Sequence, residues 1–282
     1  SSYVLARRRG QNLQSTFLAV YEPYAETTTG PAPRLQRVER IGERALAIHR
    51  LDGAVDLLLF GPHQLDSVYG RVEFTGDFAC LTGDGRALAS AELLGCQRLA
   101  VGGRVLAEGK GAVNAGVMGI DAAARTVELD ADLPASVAGL TAIFSHPAWS
   151  RTSAYHISKV DGPRLTLDAT TLSLGVGRVQ KRVDGHTISS DVPHEFAKTV
   201  RRALPSRFFD GKMAVGRDGG ATRVTAIKPG PQLTISVENS AVLREGGWFD
   251  YMDLSPGDVV RIALPQIWSA TAGKPKVAVG AR

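Results

Sequence analysis

Apolar and polar residues alternate along most of this chain in short runs, with Gly, Pro, Asn and Asp between them. Period-two alternation is the pattern of half-buried strands, because successive side chains point to opposite faces. Residues 3–8 and 15–21 alternate in this way, and Gly10-Gln11-Asn12 supplies the turn of a hairpin. Residues 27–33 read as a loop. Strands follow at 35–41, 45–49 and 55–60. The first sets Leu35 and Ile41 at the ends of one apolar face with charges between them; the third is a continuous apolar run and predicts a strand covered on both sides. Residues 71–81, 88–94 and 97–105 continue the pattern, with Gly83-Asp84-Gly85 and Gly102-Gly103 as turns. Adjacent antiparallel strands at this spacing predict a β-sandwich over residues 1–105.

Beyond residue 105 a short motif recurs. Val117-x-x-Ile120 with Val127-x-Leu129 returns as Ile157-x-x-Val160 with Leu165-x-Leu167, and again as Val224-x-x-Ile227 with Leu233-x-Ile235. Each copy is strand, polar turn, strand. The copies are unequally spaced, so they do not form a solenoid. Duplication and the common look of any alternating hairpin both account for them, and either predicts hairpins. One helix is expected: Asp191 caps, Pro193 suits the first turn, Val192, Phe196, Val200 and Ala203 share a face, and Pro205 stops it. Ser255-Pro256-Gly257-Asp258 is a turn before a strand over 259–264. Residues 106–266 thus form a hairpin-rich β region, and residues 267–282, small, basic and weakly patterned, are expected as a flexible tail. The predicted fold class is all-β: an antiparallel β-sandwich followed by a smaller hairpin-rich β domain, with one short helix.

With 282 residues and 44% hydrophobic content, the chain can bury one large core or two moderate ones. No apolar run approaches the length of a membrane span, and no charged segment followed by an apolar one opens the chain. A strand that begins at residue 3 needs a neighbour; either later strands cover it or the chain is cut from something longer. The net charge is +5, and 25 of the 33 basic residues are Arg. Arg forks bind carboxylate, sulfate and phosphate bidentately, which points to a polyanionic partner, an acidic polysaccharide or a nucleic acid, although a base composition rich in Arg codons gives the same count. The two cysteines, Cys80 and Cys96, lack metal spacing; free thiols and a disulfide across paired strands both remain open.

No nucleophile elbow, HExxH, EF-hand loop, dinucleotide fingerprint or phosphate-binding P-loop occurs. The six histidines are isolated, with no pair at the spacing of a strand-borne metal site. Tyr155 and His156 are proton-transfer types, but adjacent strand residues face opposite ways and cannot both meet one substrate unless a bulge intervenes. Alternation pairs Arg7 with Arg9. Trp149, Tyr155, Trp248 and Tyr251 fall near loops, where aromatic rings stack on sugars or pack a rim. The candidate carbohydrate contacts are Arg7, Arg9, Tyr24, Trp149, Tyr155 and His156; no catalytic residue, no metal ligand and no cofactor site is assigned.

The segment Tyr3-Val4-Leu5-Ala6-Arg7-Arg8-Arg9-Gly10, followed by Ser15-Thr16-Phe17-Leu18-Ala19-Val20-Tyr21-Glu22-Pro23-Tyr24, resembles the C-terminal β-rich region of the heparinase II/III-like polysaccharide lyases. Residues 54–60 and the end Leu254-Ser255-Pro256-Gly257-Asp258-Val259-Val260 look like that region too. The resemblance implies a two-part enzyme, in which an N-terminal helical toroid precedes a large antiparallel β-sandwich. Such enzymes cleave uronate-containing polysaccharides by β-elimination: the carboxylate is neutralised, a base takes the adjacent proton and an acid assists the leaving oxygen. The family's catalytic Tyr and His motifs and its metal-binding His have no match here, so the implied role is a β-structural portion with the catalytic residues outside this chain. The implied partners are an acidic polysaccharide and the missing toroid, with neither membrane nor nucleic acid, in a periplasmic or secreted bacterial setting. The alternative is a non-catalytic carbohydrate-binding or structural β-sandwich protein.

Overall fold

The structure is a computed structural model that describes residues 20, 26–27, 30–31, 34–190, 209–228, 233–271 and 276–277. Among these, regular structure is strand apart from two 3-10 turns, Ala135–Val137 and Ser240–Val242. The opening hairpin over 3–21 and the helix expected between Asp191 and Pro205 lie outside the described residues. The chain divides into two compact units, Ser1–Gly111 with Leu264–Ala278, and Ala112–Ala263 with Val279–Arg282.

Strands are numbered along the chain. The first unit holds β1 (Glu26–Thr27) and β2 (Gly30–Pro31), which pair with each other, then β3 (Leu35–Gly42), β4 (Ala45–Arg50), β5 (Val55–Phe60), β6 (His63–Ser67), β7 (Gly70–Thr75), β8 (Phe78–Gly83), β9 (Leu88–Leu94), β10 (Arg98–Val101) and β11 (Arg104–Glu108). It also takes back β24 (Pro265–Ser269) and β25 (Lys276–Val277) from the end of the chain. Two sheets form, ordered β25-β24-β9-β8-β5-β4-β3 and β11-β10-β7-β6. Val55, Leu57 and Leu59 of β5, Leu81 of β8, Leu93 of β9 and Trp268 of β24 meet Val72 and Phe74 of β7 and Leu99 of β10 in one core, the layering of a sandwich.

Three expectations change here. The run 71–81 is two strands that belong to different sheets, β7 and β8, because the chain turns at Gly76-Asp77 and crosses the core. β5 alternates buried with half-buried residues rather than being covered on both faces. Residues 267–269, expected in the tail, lie in β24, where Trp268 is 7% exposed and the strand pairs with β9. Cys80 and Cys96 are free thiols, so the open question of a bridge is answered.

The second unit contains β12 (Ala112–Asp121), β13 (Thr126–Leu129), β14 (Thr141–His146), β15 (Trp149–Asp161), β16 (Arg164–Asp168), β17 (Ser173–Asp184), β18 (Thr187–Ser190), β19 (Met213–Gly216), β20 (Ala221–Lys228), β21 (Leu233–Val237), β22 (Trp248–Met252) and β23 (Val259–Ala263). They close into two six-stranded barrels, β12-β13-β16-β15-β14-β23 and β17-β18-β21-β20-β19-β22. Taken in chain order within each barrel, both read first, second, fifth, fourth, third, sixth. The second barrel therefore repeats the topology of the first and lies in the chain between the fifth and sixth strands of its sibling.

Register carries the equivalence residue by residue. Ala115↔Val260 in the first barrel matches Gly177↔Phe249 in the second, Ala142↔Ile262 matches Ala214↔Tyr251, Thr141↔His156 matches Met213↔Arg223, and Val127↔Leu165 matches Ile188↔Ile235. The sequence motif marks a bulged hairpin, which the structure shows four times. Val117, Ile157, Val179 and Val224 each precede a bulge and are at most 2% exposed. Each exchanges two backbone hydrogen bonds with a Gly-X dipeptide that leads into another strand: Gly257-Asp258, Gly139-Leu140, Gly246-Gly247 and Gly211-Lys212. All four glycines have φ between 73° and 88°, a left-handed conformation that other residues adopt at a cost. The copy at Val179 escapes the sequence motif because Arg182 and Ser190 stand where its siblings carry apolar residues.

Candidate functional site

Alternation on β22 sends Phe249 and Tyr251 into the second barrel, where both are fully buried, and sends Trp248 and Asp250 outward. Trp248 is 46% exposed. Its strand lies between β17 and β19, and each neighbour contributes an arginine. The Arg178 guanidinium sits 6.0 Å from the Trp248 ring centroid and that of Arg217 5.8 Å, both within cation–π range. Arg178 is the cross-strand partner of Trp248, and its Nε donates to the Gly246 carbonyl at 2.9 Å. Arg217 continues the line of β19, its backbone N–H donating to the Trp248 carbonyl at 3.0 Å. Asp250 lies 3.8 Å from Arg217 Nε and accepts from Ser173 Oγ at 2.9 Å. This half-buried carboxylate offsets part of the positive charge, so two guanidiniums stand against one carboxylate around the ring.

The sibling barrel provides the control that shows what this fold requires. Gly116, Val259 and Ser145 occupy the positions of Arg178, Trp248 and Arg217. The barrel closes equally well with a small, neutral set there. Two guanidiniums flanking one exposed indole are thus a property of this face and not of the architecture. Chemically, the face offers a flat apolar surface for a sugar ring or other planar group, with a fork on either side for anionic oxygens.

Of the six predicted contacts, Arg7, Arg9 and Tyr24 lie outside the described residues, and Trp149 opens β15. Tyr155 and His156 face opposite ways, as expected: His156 is exposed, whereas Tyr155 turns inward with its ring 6.1 Å from that of Phe144. The Tyr155 hydroxyl donates to Asp253 Oδ2 at 2.7 Å, and Lys212 Nζ donates to Asp253 Oδ1 and, at 3.2 Å, to the Asp253 carbonyl. Lys212 is 2% and Asp253 8% exposed. Burial pushes the Asp253 carboxyl up, but hydrogen bonding and charge from Lys212, helped by Tyr155 and Ser153, hold it below the ordinary carboxylate range. Burial, and then the hydrogen bond and charge of Asp253, push the Tyr155 hydroxyl well above the usual tyrosine value. Tyr155 is half-buried, with its hydroxyl committed to Asp253. Tyr251, expected near a loop, is a core residue.

Among the described residues, no three His, Cys, Asp or Glu side chains are grouped to hold a metal ion, and no helix is long and apolar enough to cross a membrane. Comparison with models of known families, with curated proteins and with solved structures found no match. The reading of the site therefore rests on its own geometry.

Alternation alone places Trp248 outside and Tyr251 inside, since they are three apart on one strand. Arg178 and Arg217 carry no comparable signal; they reach Trp248 only because the barrel closes in this strand order.

Proposed function

We propose that this chain is the β-structural, acidic-glycan-binding portion of a polysaccharide lyase, with the catalytic residues outside it. The observation that carries the binding role is the exposed Trp248 ring flanked by Arg178 and Arg217, set against Gly116, Val259 and Ser145 at the equivalent places of the sibling barrel. A uronate presents a ring face for the indole and a carboxylate for either fork, so one residue of the polymer satisfies both parts of the site. The lyase context rests on the likeness of residues 3–24 and 254–260 to the heparinase II/III-like enzymes. In that context the chain supplies substrate affinity while the toroid supplies the base and acid.

The test combines retention with turnover. The chain alone is run through a gel containing a polyuronate and, in parallel, incubated with the same polymer while ultraviolet absorbance of unsaturated uronate is followed. Retardation without new absorbance is expected. Turnover by the chain alone overturns the assignment of catalysis elsewhere, and migration unaffected by the polymer overturns the binding role.

A further inference from the structure

The buried Lys212–Asp253 pair poses a question that glycan binding does not answer. Lys212 is the X of the Gly211-Lys212 dipeptide, and Asp253 follows β22 directly. The positions equivalent in register along the strands of the first barrel are Leu140 and Leu264, so the fold does not require a charge at either. Replacing a buried ion pair by well-packed apolar residues is often neutral or stabilising. Two charges kept out of water where two leucines serve elsewhere need a use other than packing.

We propose that Lys212 and Asp253 are the precursors of a spontaneous intramolecular amide cross-link, formed between Lys212 Nζ and Asp253 Cγ. The two side chains already touch through Nζ and Oδ1, with Tyr155 hydrogen-bonded to the other carboxylate oxygen. Both side chains are buried, which shields the pair from bulk water. The ammonium passes one proton along its hydrogen bond to Oδ1, leaving an amine beside a carboxylic acid. The Nζ lone pair attacks Cγ, and the Tyr155 hydroxyl donates to Oδ2 as negative charge develops there. A second proton moves from Nζ to Oδ1, the Cγ–Oδ1 bond breaks and water leaves. Oδ2 remains as the amide oxygen, still held by Tyr155. One C–N bond forms, one C–O bond breaks, and no oxidant or other reactant is required. Fixed contact replaces the dilute encounter that makes amide formation unfavourable in water, since well-oriented partners reach effective molarities of roughly 10⁵–10⁸ M. The closed loop ties the third strand of the second barrel to the end of its sixth.

Intact-mass measurement of the denatured full chain tests this directly. The expected mass is lower than that of the sequence by one water molecule. Tryptic mapping is expected to give a branched species joining the peptide containing Lys212 to that containing Asp253, with no cleavage after Lys212. Lys212→Arg, which lacks the amine, is expected to restore the full mass. A wild-type chain at its full sequence mass overturns the proposal, as does a loss of water confined to a linear peptide, for example at Asp84-Gly85, Asp161-Gly162 or Asp184-Gly185. The wild-type map decides even if the Lys212→Arg chain does not fold.

Discussion

Trp248→Val gives the second barrel the residue that its sibling carries at Val259. A tryptophan presents about 150–250 Å². With 46% exposure at Trp248, about 100 Å² of it is left for a ligand. Covering half to all of that area at about 25 cal/mol per Å² contributes about 1.2–2.5 kcal/mol. The dissociation constant for an acidic oligosaccharide should therefore rise by about sevenfold to sixtyfold. Folding stability should change by less than about 0.5 kcal/mol, because the ring is a surface group and Val suits the same strand in the sibling. Isothermal titration with a defined oligouronide reads the affinity, and thermal unfolding of the same samples reads the stability. Val259→Ala is the matched control, with affinity expected to stay at the wild-type value. Equal affinity for Trp248→Val and wild type would refute the placement of the site, and a matching loss for Val259→Ala would show that the effect is not local.

Burial and the nearby Asp56 push the Tyr69 hydroxyl up to about 12, and it donates to the Val55 carbonyl inside the sandwich. The neutral form is favoured in the folded state, so its contribution is complete below pH 10 and is lost as pH rises through 12; it amounts to about 2–3 kcal/mol. Denaturant titrations between pH 9 and 12 should show that loss, and Tyr69→Phe should flatten it. Cys96 is fully buried, and desolvation lifts its thiol to about 11; a disulfide reagent at neutral pH should leave it untouched in the native chain and label it only after unfolding. A Cβ at Gly220 would lie 1.8 Å from the Val242 carbonyl oxygen, so Gly220→Ala should cost about 3 kcal/mol in chemical denaturation.

Much of this fold is legible in the sequence, for a simple reason: a strand with one buried face writes its period into the residue order. β5 and β9 fall at the expected residues, and β3, β4 and β23 differ from expectation by one residue at an end. Sheet membership is not written there. β7 and β8 read as one run because a two-residue turn at Gly76-Asp77 leaves the alternation nearly continuous while moving the chain between layers. The hairpin motif is visible, but its meaning is tertiary. The structural repeat becomes evident only when Val117, Ile157, Val179 and Val224 are seen to bond a Gly-X pair more than fifteen residues away, or as few as twelve in the Val224 case. The candidate site divides in the same way: the outward face of Trp248 can be read locally, whereas its flanking arginines come from strands that only barrel closure makes adjacent. Lys212 and Asp253 gave no local warning either, since a Gly-Lys before a strand looks like any solvated turn.

On the proposed reading, this face of the second barrel binds an acidic glycan through charge as well as stacking. Affinity of the intact wild-type chain for a polyuronate, compared with its neutral methyl ester across a range of salt concentrations, tests it most directly. Binding to the acid form should weaken as salt rises, while the ester should bind more weakly and with little salt dependence. Equal affinities for acid and ester, unmoved by salt, would contradict it.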